Sequence, residues 1–265
     1  MSLEVITMWY NEAFLAPFFL KHYAWADRIT LLYDVDTTDN TRDIVKKYPN
    51  VHIVPFSFPD MMDDELKRDI INKVYARSQC DWVLSVDADE FVFIKSDDEF
   101  CYDLRQYIEE NSRYDLFFVT LFQIFHNTKD VDLDPDLPAV PQRRYGDPNI
   151  STGLNKLYNK PILVRSGLNI DWTPGCHAIN IDGVEFSIES SFPENIRISV
   201  AQQTILGAHW AMADPVFSVE RRVKNRRMRQ SQNNLEKGMT VQHHHVTVKN
   251  IMDEFAAHAN NPQLF

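Results

Sequence analysis

The chain has 265 residues, 44% hydrophobic and 12% aromatic, which is enough for a real core and argues against a disordered chain. Its formal net charge of -11 repels a phosphate backbone and argues against nucleic-acid binding, while leaving room for a small phosphorylated ligand bridged through a divalent cation. Cys80, Cys101 and Cys176 are odd in number, far apart and form no CxxC, which argues against a disulfide scaffold or zinc knuckle and fits a reducing compartment.

The opening MSLEVITMWYNEAF has no basic segment leading into a long apolar run and a small-residue cleavage site. No window of about 18 apolar residues occurs anywhere. The expectation is a cytoplasmic protein with no transmembrane helix, free to touch the inner membrane face peripherally. Residues 3–8 read as a strand. Residues 12–25 carry Phe14, Leu15, Phe18, Phe19 and Tyr23 near helical spacing, with Pro17 tolerable in a first turn. A second strand is predicted over 28–33, a helix over 38–48 behind the capping residues Thr37, Thr38 and Asp39, and a third strand over 51–54. A longer helix over 62–78 leads to an apolar strand over 82–86. Strands alternating with helices in this way predict an α/β fold around a buried, mainly parallel sheet.

Beyond residue 90 the pattern is less regular. A helix is expected over 98–111 and a strand over 116–122. Residues 130–148, rich in Asp and Pro, read as a loop that is either a lid or a rigid surface feature. Short strands are expected over 162–164, 178–181 and 198–206, a basic helical stretch over 217–239 and an amphipathic helix over 248–259. This gives an α/β domain over 1–212 and a helical extension over 213–265 packed on it.

The most informative segment is Trp82-Val83-Leu84-Ser85-Val86-Asp87-Ala88-Asp89-Glu90-Phe91, an apolar strand running into three carboxylates. Ligands of open α/β sheets bind at the carboxyl ends of strands, and two carboxylates two positions apart in a turn can face one hard cation such as Mn²⁺ or Mg²⁺. An acidic strand-end turn is the plain alternative. Three further pieces stand in order around it: Asn11-Glu12 after the first strand, Tyr33-Asp34-Val35-Asp36-Thr37-Thr38-Asp39-Asn40-Thr41 after the second, and Asn72, 15 positions before Asp87. Over residues 3–93 this set resembles the family-2-type glycosyltransferases of the nucleotide-diphospho-sugar transferase (GT-A) fold, in the branch with DxDEF-like motifs, with Thr where the family's turn after strand two has Ser.

The resemblance implies a Rossmann-like N-terminal half. It places Asn11, Glu12 and Asp34 at the base and ribose, Asp87 at the ribose or metal, and Asp89 at the metal. It also implies inversion at the anomeric carbon, a nucleotide-diphosphate sugar donor, a glycan or lipid-linked acceptor, and a role in bacterial surface polysaccharide or glycoconjugate synthesis. Asn72 reads equally as a nucleotide contact or a supporting polar group, and Arg68 as a phosphate contact or a surface residue. His209, after an apolar stretch, is a third metal ligand or a structural histidine. Trp172, His177 and Trp210 are candidates for stacking on or contacting the acceptor sugar, or for the core. His243-His244-His245 reads as a surface cluster. The basic run Arg221, Arg222, Lys224, Arg226, Arg227 and Arg229 reads as a solvated helix face from which one or two side chains reach the donor diphosphate.

The second half departs from the family pattern, with no Glu-Asp pair and no Gln-x-x-Arg-Trp. Asp171 and Asp182, then Glu189, are the candidates for the base that deprotonates the acceptor hydroxyl. A nucleotidyltransferase is disfavoured by only 7 glycines and by Asn11-Glu12 where a Gly-rich loop would stand. A catalytically degenerate sugar-nucleotide- or glycan-binding protein is a non-enzymatic alternative, and a metal hydrolase using His177 and His209 a further rival.

Overall fold

The structure is a computed structural model that describes residues 1–96, 99–147, 158–191, 193, 196–199, 204–239 and 245–265. The N-terminal half is built from β1 (Leu3–Trp9), α1 (Ala16–His22), β2 (Arg28–Asp34), α2 (Thr41–Val45), β3 (Val51–Phe56), α3 (Asp64–Tyr75) and β4 (Trp82–Ser85). The strands lie in the order β3-β2-β1-β4 and all neighbours are parallel. Parallel pairing requires crossovers, and the three helices supply them. Burial on both faces explains why β1 and β2 read as continuous apolar runs. Alternation sends Leu3, Val5, Trp82 and Leu84 to the side packed by α1, and Ile6 and Val83 to the side packed by α3. Pro17 lies in the first turn of α1, as expected.

The second half contains β5 (Glu90–Ser96), β6 (Glu99–Cys101), α4 (Arg105–Glu110), β7 (Leu116–Phe125), α5 (Ala139–Gln142), β8 (Asn159–Arg165), β9 (Asp171–Trp172), β10 (Ile179–Ile181), β11 (Val184–Phe186), β12 (Ile198–Ser199) and β13 (Ile205–Met212). The main sheet continues β4-β8-β7-β13-β5-β6, with β12 paired to β7, while β11-β10-β9 form a small sheet. β8 is antiparallel to both β4 and β7, and β5 is antiparallel to β13. The expected α/β fold holds, with a mixed sheet whose parallel part is concentrated in the first four strands.

Several sequence-based boundaries shift. The helix expected over 98–111 shrinks to α4, because Phe100 and Cys101 belong to a hairpin in which Ile94 pairs with Cys101. Residues 130–148 contain the short α5. They are also anchored by Arg143, which is 2% exposed and donates to Ala213 O at 2.8 Å and Val131 O at 2.9 Å. The strand expected over 198–206 becomes β12 and β13, with 200–203 outside the described residues.

The stretch over 217–239 is not one helix. α6 (Pro215–Val219) runs into a π turn at Glu220–Arg226 and a 3₁₀ turn at Arg227–Arg229, followed by α7 (Gln232–Glu236). The last helix is α8 (Val248–His258), closed by a capping box of Thr247 and Asn250. Phe217 and Phe265 enter the main core, Phe265 meeting Phe93 at 5.1 Å and Phe122 at 5.5 Å between ring centroids. Among the described residues no helix is long and apolar enough to cross a membrane. His243 and His244 of the histidine run lie outside the described residues.

Candidate functional site

The loops after β1, β2 and β4 sit at the carboxyl ends of three neighbouring parallel strands. This is the side on which open α/β sheets bind ligands, and β1 with β4 flank the point where the strand order reverses. The loop after β1 passes through Asn11 at φ 52°, a left-handed conformation that Asn tolerates. Asn11 Oδ1 accepts from Thr38 N at 2.7 Å and Asp39 N at 3.3 Å. Asp39 answers by accepting from Ala13 N at 2.9 Å as well as from Thr41 N at 3.0 Å. It therefore does more than cap α2, since it ties the first two loops together.

Asp34 ends β2 fully buried. It accepts from Asp36 N at 3.0 Å and from Arg229 Nη2 at 2.8 Å. The Arg229 guanidinium carbon lies 3.6 Å from the centroid of the Tyr10 ring, a close cation–π contact.

The turn after β4 is folded by Glu90. Its Oε2 accepts from Asp87 N at 3.0 Å, and its own N–H donates to Asp87 O at 3.1 Å. Each carboxylate of the turn has a cation. Lys67 of α3 donates to Asp87 Oδ1 at 2.6 Å, and Lys160 of β8 donates to Glu90 Oε1 at 2.6 Å. Asp89 is fully buried and takes both terminal nitrogens of Arg221, one on each oxygen. Its Oδ2 also lies 3.3 Å from His209 Nε2 and 3.9 Å from Arg226 Nη2. Arg221, 4% exposed, donates through Nε to Glu12 Oε1 at 3.0 Å.

The electrostatics follow from these pairings. Burial works to raise Asp87, but Lys67 and Lys160 outweigh it and hold the carboxyl well below the usual range. Burial is likewise overcome at Asp89 by Arg221 and His209. Glu12 goes the other way. Burial lifts it from 4.5 to about 7, with Arg221 opposing and Asp89 reinforcing the rise. Its Oε2 is buried with no hydrogen-bond partner among the described residues.

Beside the turn a cleft is lined by Lys67, Arg68, Asp87, Glu90, Lys160 and Cys176. It carries three cationic side chains, two of them from α3. The residues expected to hold Mn²⁺ or Mg²⁺ are Asp87, Asp89 and His209. They are gathered at one turn, but as ion-pair partners. Among the described residues no three His, Cys, Asp or Glu side chains converge so as to hold a metal. Both oxygens of Asp89 face a guanidinium, and Asp87 Oδ1 takes the Lys67 ammonium at 2.6 Å. The donor set present does not fit a divalent cation.

Other sequence candidates fall elsewhere. Trp172 and Trp210, expected as sugar-stacking residues, are both fully buried. The Trp172 indole N–H donates to Pro161 O at 2.8 Å and its ring meets Tyr75 edge-on at 5.0 Å. Trp210 packs on Phe91 at 4.7 Å. Neither ring offers a free face, so both are core residues: Trp210 lies in the apolar strand β13, and Trp172, on the two-residue β9, packs in one cluster with Ile71 and Tyr75 of α3. Asn72 has both ends of its amide engaged by the Trp172 backbone, at 2.9 and 3.1 Å, and joins α3 to β9. Arg68 stands at the cleft wall and pairs with Asp69 at 2.7 Å.

His177 follows the 3₁₀ turn Pro174–Cys176 and packs so closely on Gly175, itself at φ 73°, that a Cβ there would meet its ring at 2.7 Å. Asp171 is exposed on β9, on the opposite side of the strand from the buried Trp172. Asp182 and Gly183, at φ 52° and 83°, form the two-residue turn of the β10–β11 hairpin. Glu189 is an exposed residue beyond it, its N–H donating to Ser187 Oγ at 3.4 Å.

Lys67, Lys160 and Gln123 were not singled out from sequence, and Glu90 only as the third carboxylate of the acidic turn. Lys160 had a legible signal, since a lysine inside the apolar strand NKPILVR must find a buried partner. The basic run did not distinguish Arg221 from its neighbours.

No family model matches the chain, and no curated protein matches it. It is similar to solved structures of TarS from S. aureus, each at 14% identity. TarS 1–349 in complex with UDP gives a TM-score of 0.46, covering 90% of this chain and 78% of that one. TarS 1–349 in complex with UDP-GlcNAc gives 0.42, covering 97% and 72%. TarS itself gives 0.41, covering 97% of this chain, which spans 43% of the TarS chain. Likeness of this size carries no argument about chemistry, which rests on the residues above.

Proposed function

We propose that this chain is a glycosyltransferase that moves a sugar from a nucleotide-diphosphate donor to an acceptor hydroxyl of a glycan or lipid-linked molecule. The observation that carries the reading is the meeting of three strand-end loops. Glu12, Asp34 and the Asp87–Asp89 turn stand at the carboxyl ends of β1, β2 and β4, beside a cleft walled by Lys67, Arg68 and Lys160. Carboxylates at the ends of β1 and β2 suit ribose hydroxyls and a base N–H, and cations beside β4 suit a departing diphosphate. Inversion at the anomeric carbon and a role in bacterial surface polysaccharide synthesis belong to this reading through the family resemblance.

A catalytically inactive sugar-nucleotide- or glycan-binding protein is the second reading. It is favoured by one feature, the complete pairing of Asp89. The test is thermal unfolding with UDP, GDP and CDP, then sugar release from the matching nucleotide sugar with and without candidate acceptors. UDP and UDP-GlcNAc are the first probes. A raised midpoint with one nucleotide and acceptor-dependent turnover is the expected result. A raised midpoint without turnover selects the binding protein. No shift with any nucleotide near millimolar concentration overturns the glycosyltransferase reading and leaves a glycan-binding protein.

A further inference from the structure

The acidic turn that suggests a metal site is already filled with side-chain cations, and one cation beside it has little to hold. Asp89 is fully buried and takes Arg221 on both oxygens, and Asp87 takes Lys67 at 2.6 Å. A divalent ion entering here would have to separate a buried, hydrogen-bonded charge pair. Breaking such a pair is costly because the released charge remains in a dry site. Arg226 differs from Arg221. Its side chain is 29% exposed, and its guanidinium meets Asp89 Oδ2 only at 3.9 Å, beyond hydrogen-bond range. Among the described residues its side chain donates no hydrogen bond. Lys67 is 21% exposed and lines the cleft. A guanidinium with open donors and a partly exposed ammonium, held beside one strand end, suit the bidentate and point-charge modes of binding phosphate oxygens.

We infer that the donor's diphosphate is received by Arg226 and Lys67 in place of a divalent metal, with Asp87 and Asp89 acting as positioning residues that hold the cations. This rests on the proposed nucleotide-sugar reading and specifies how that site neutralises its ligand. The leaving diphosphate keeps the electron pair of the broken sugar–oxygen bond, and the acceptor oxygen forms the new one. Arg226 and Lys67 stabilise the charge left on the β-phosphate, and the acceptor proton leaves to solvent or a base. The π turn at Glu220–Arg226 is what brings this about locally. Its wider winding brings Arg221 and Arg226, five positions apart, to the same side, both toward Asp89 in the turn after β4.

The experiment is isothermal titration of the intact chain with UDP, GDP, CDP and the corresponding monophosphates, in excess EDTA and again in excess MnCl₂. For the nucleotide that binds, the diphosphate affinity is expected to agree within about twofold between the two buffers. It should fall at least about tenfold in Arg226→Met and Lys67→Met. Arg226→Lys and Lys67→Arg should recover much of that loss, and Arg226→Met should erase the preference for diphosphate over monophosphate. The open contacts of Arg226 make its variants foldable, which the unliganded unfolding midpoint checks. Binding that appears only with Mn²⁺ and ignores Arg226→Met overturns the inference and leaves the proposed function standing. Binding of no nucleotide in either buffer overturns the proposed function, and the inference with it.

Discussion

Glu12 shows at the level of one residue how the site stores charge. Its folded-state pKa of about 7 lies above the ordinary 4.5, because burial outweighs the Arg221 contact. A raised pKa means that the folded state holds the proton more tightly than the unfolded chain does. The contribution to stability is therefore complete below pH 4.5 and is lost as pH rises through 7, by about 3 kcal/mol at 1.36 kcal/mol per pH unit. Glu12→Gln keeps an acceptor for Arg221 Nε and does not titrate, so its stability curve should lack this loss. Urea denaturation across that pH window checks it, and parallel curves for the two proteins would refute the assignment.

Arg221→Met is the complementary change. It leaves Asp89 charged, unexposed and stripped of its bidentate partner, which should cost about 3–5 kcal/mol. An unfolding midpoint equal to wild type would show that the pair does not form. At this scale the carboxylates were legible in the sequence, because a strand followed by Asp87-Ala88-Asp89 is a local pattern. Which cation meets which carboxylate was not, since Lys67, Lys160 and Arg221 arrive from α3, β8 and the C-terminal turns, and no local spacing encodes those meetings.

Elements whose signal is local were read well, and those defined by pairing or by tertiary winding were not. β1, β2 and β4 were found within a few residues because both-face burial leaves an apolar run. β5 was overlooked because its first residue is the buried Glu90, and a charge there masks the strand until Lys160 is seen to meet it. The segment after α6 reads as a regular basic helix, yet the chain changes from α to π to 3₁₀ winding where Arg221, Arg222 and Arg229 make their tertiary contacts.

One polar cluster fixes this segment to α3. Asp63 caps α3 through Glu65 N and Leu66 N at 3.0 Å, while its other oxygen accepts from Ser231 Oγ at 2.9 Å and Asn233 Nδ2 at 2.8 Å. Ser231 in turn caps α7 by accepting from Asn234 N at 3.1 Å. Asp63→Ala should cost about 2 kcal/mol, the upper range for a lost cap, since two helices lose a partner at once. Because the two caps share a hydrogen bond, Asp63→Ala and Ser231→Ala should couple by at least about 0.5 kcal/mol in a double-mutant cycle. Strict additivity would mean that the two caps act independently.

Across the whole molecule the same contacts decide whether the last quarter of the chain is a separate unit. A boundary near 212, which the shift from mixed α/β to basic helical composition suggests, would predict two unfolding events. The packing argues otherwise. Phe217 stacks on Phe14 at 4.5 Å, next to α1, and Phe265 sits among Phe93, Phe100 and Phe122 of the sheet. Arg221 and Arg229 carry ion pairs to the loops after β1, β2 and β4, and Leu264 N donates to Arg144 O at 2.8 Å. Removing residues beyond 212 would strip Asp34, Asp89 and Glu12 of their cations and open a cavity where Phe265 was, together a cost comparable to a domain's net stability. Neither part can therefore persist alone, and unfolding should be a single event. Far-UV circular dichroism, which reports the helices and the sheet, and tryptophan fluorescence from the Trp9, Trp82, Trp172 and Trp210 core should trace superimposable urea transitions. A helical signal lost at lower urea than the tryptophan signal would establish the C-terminal segment as an independent unit, and would require the cations it supplies to be placed in the site only when a ligand is bound.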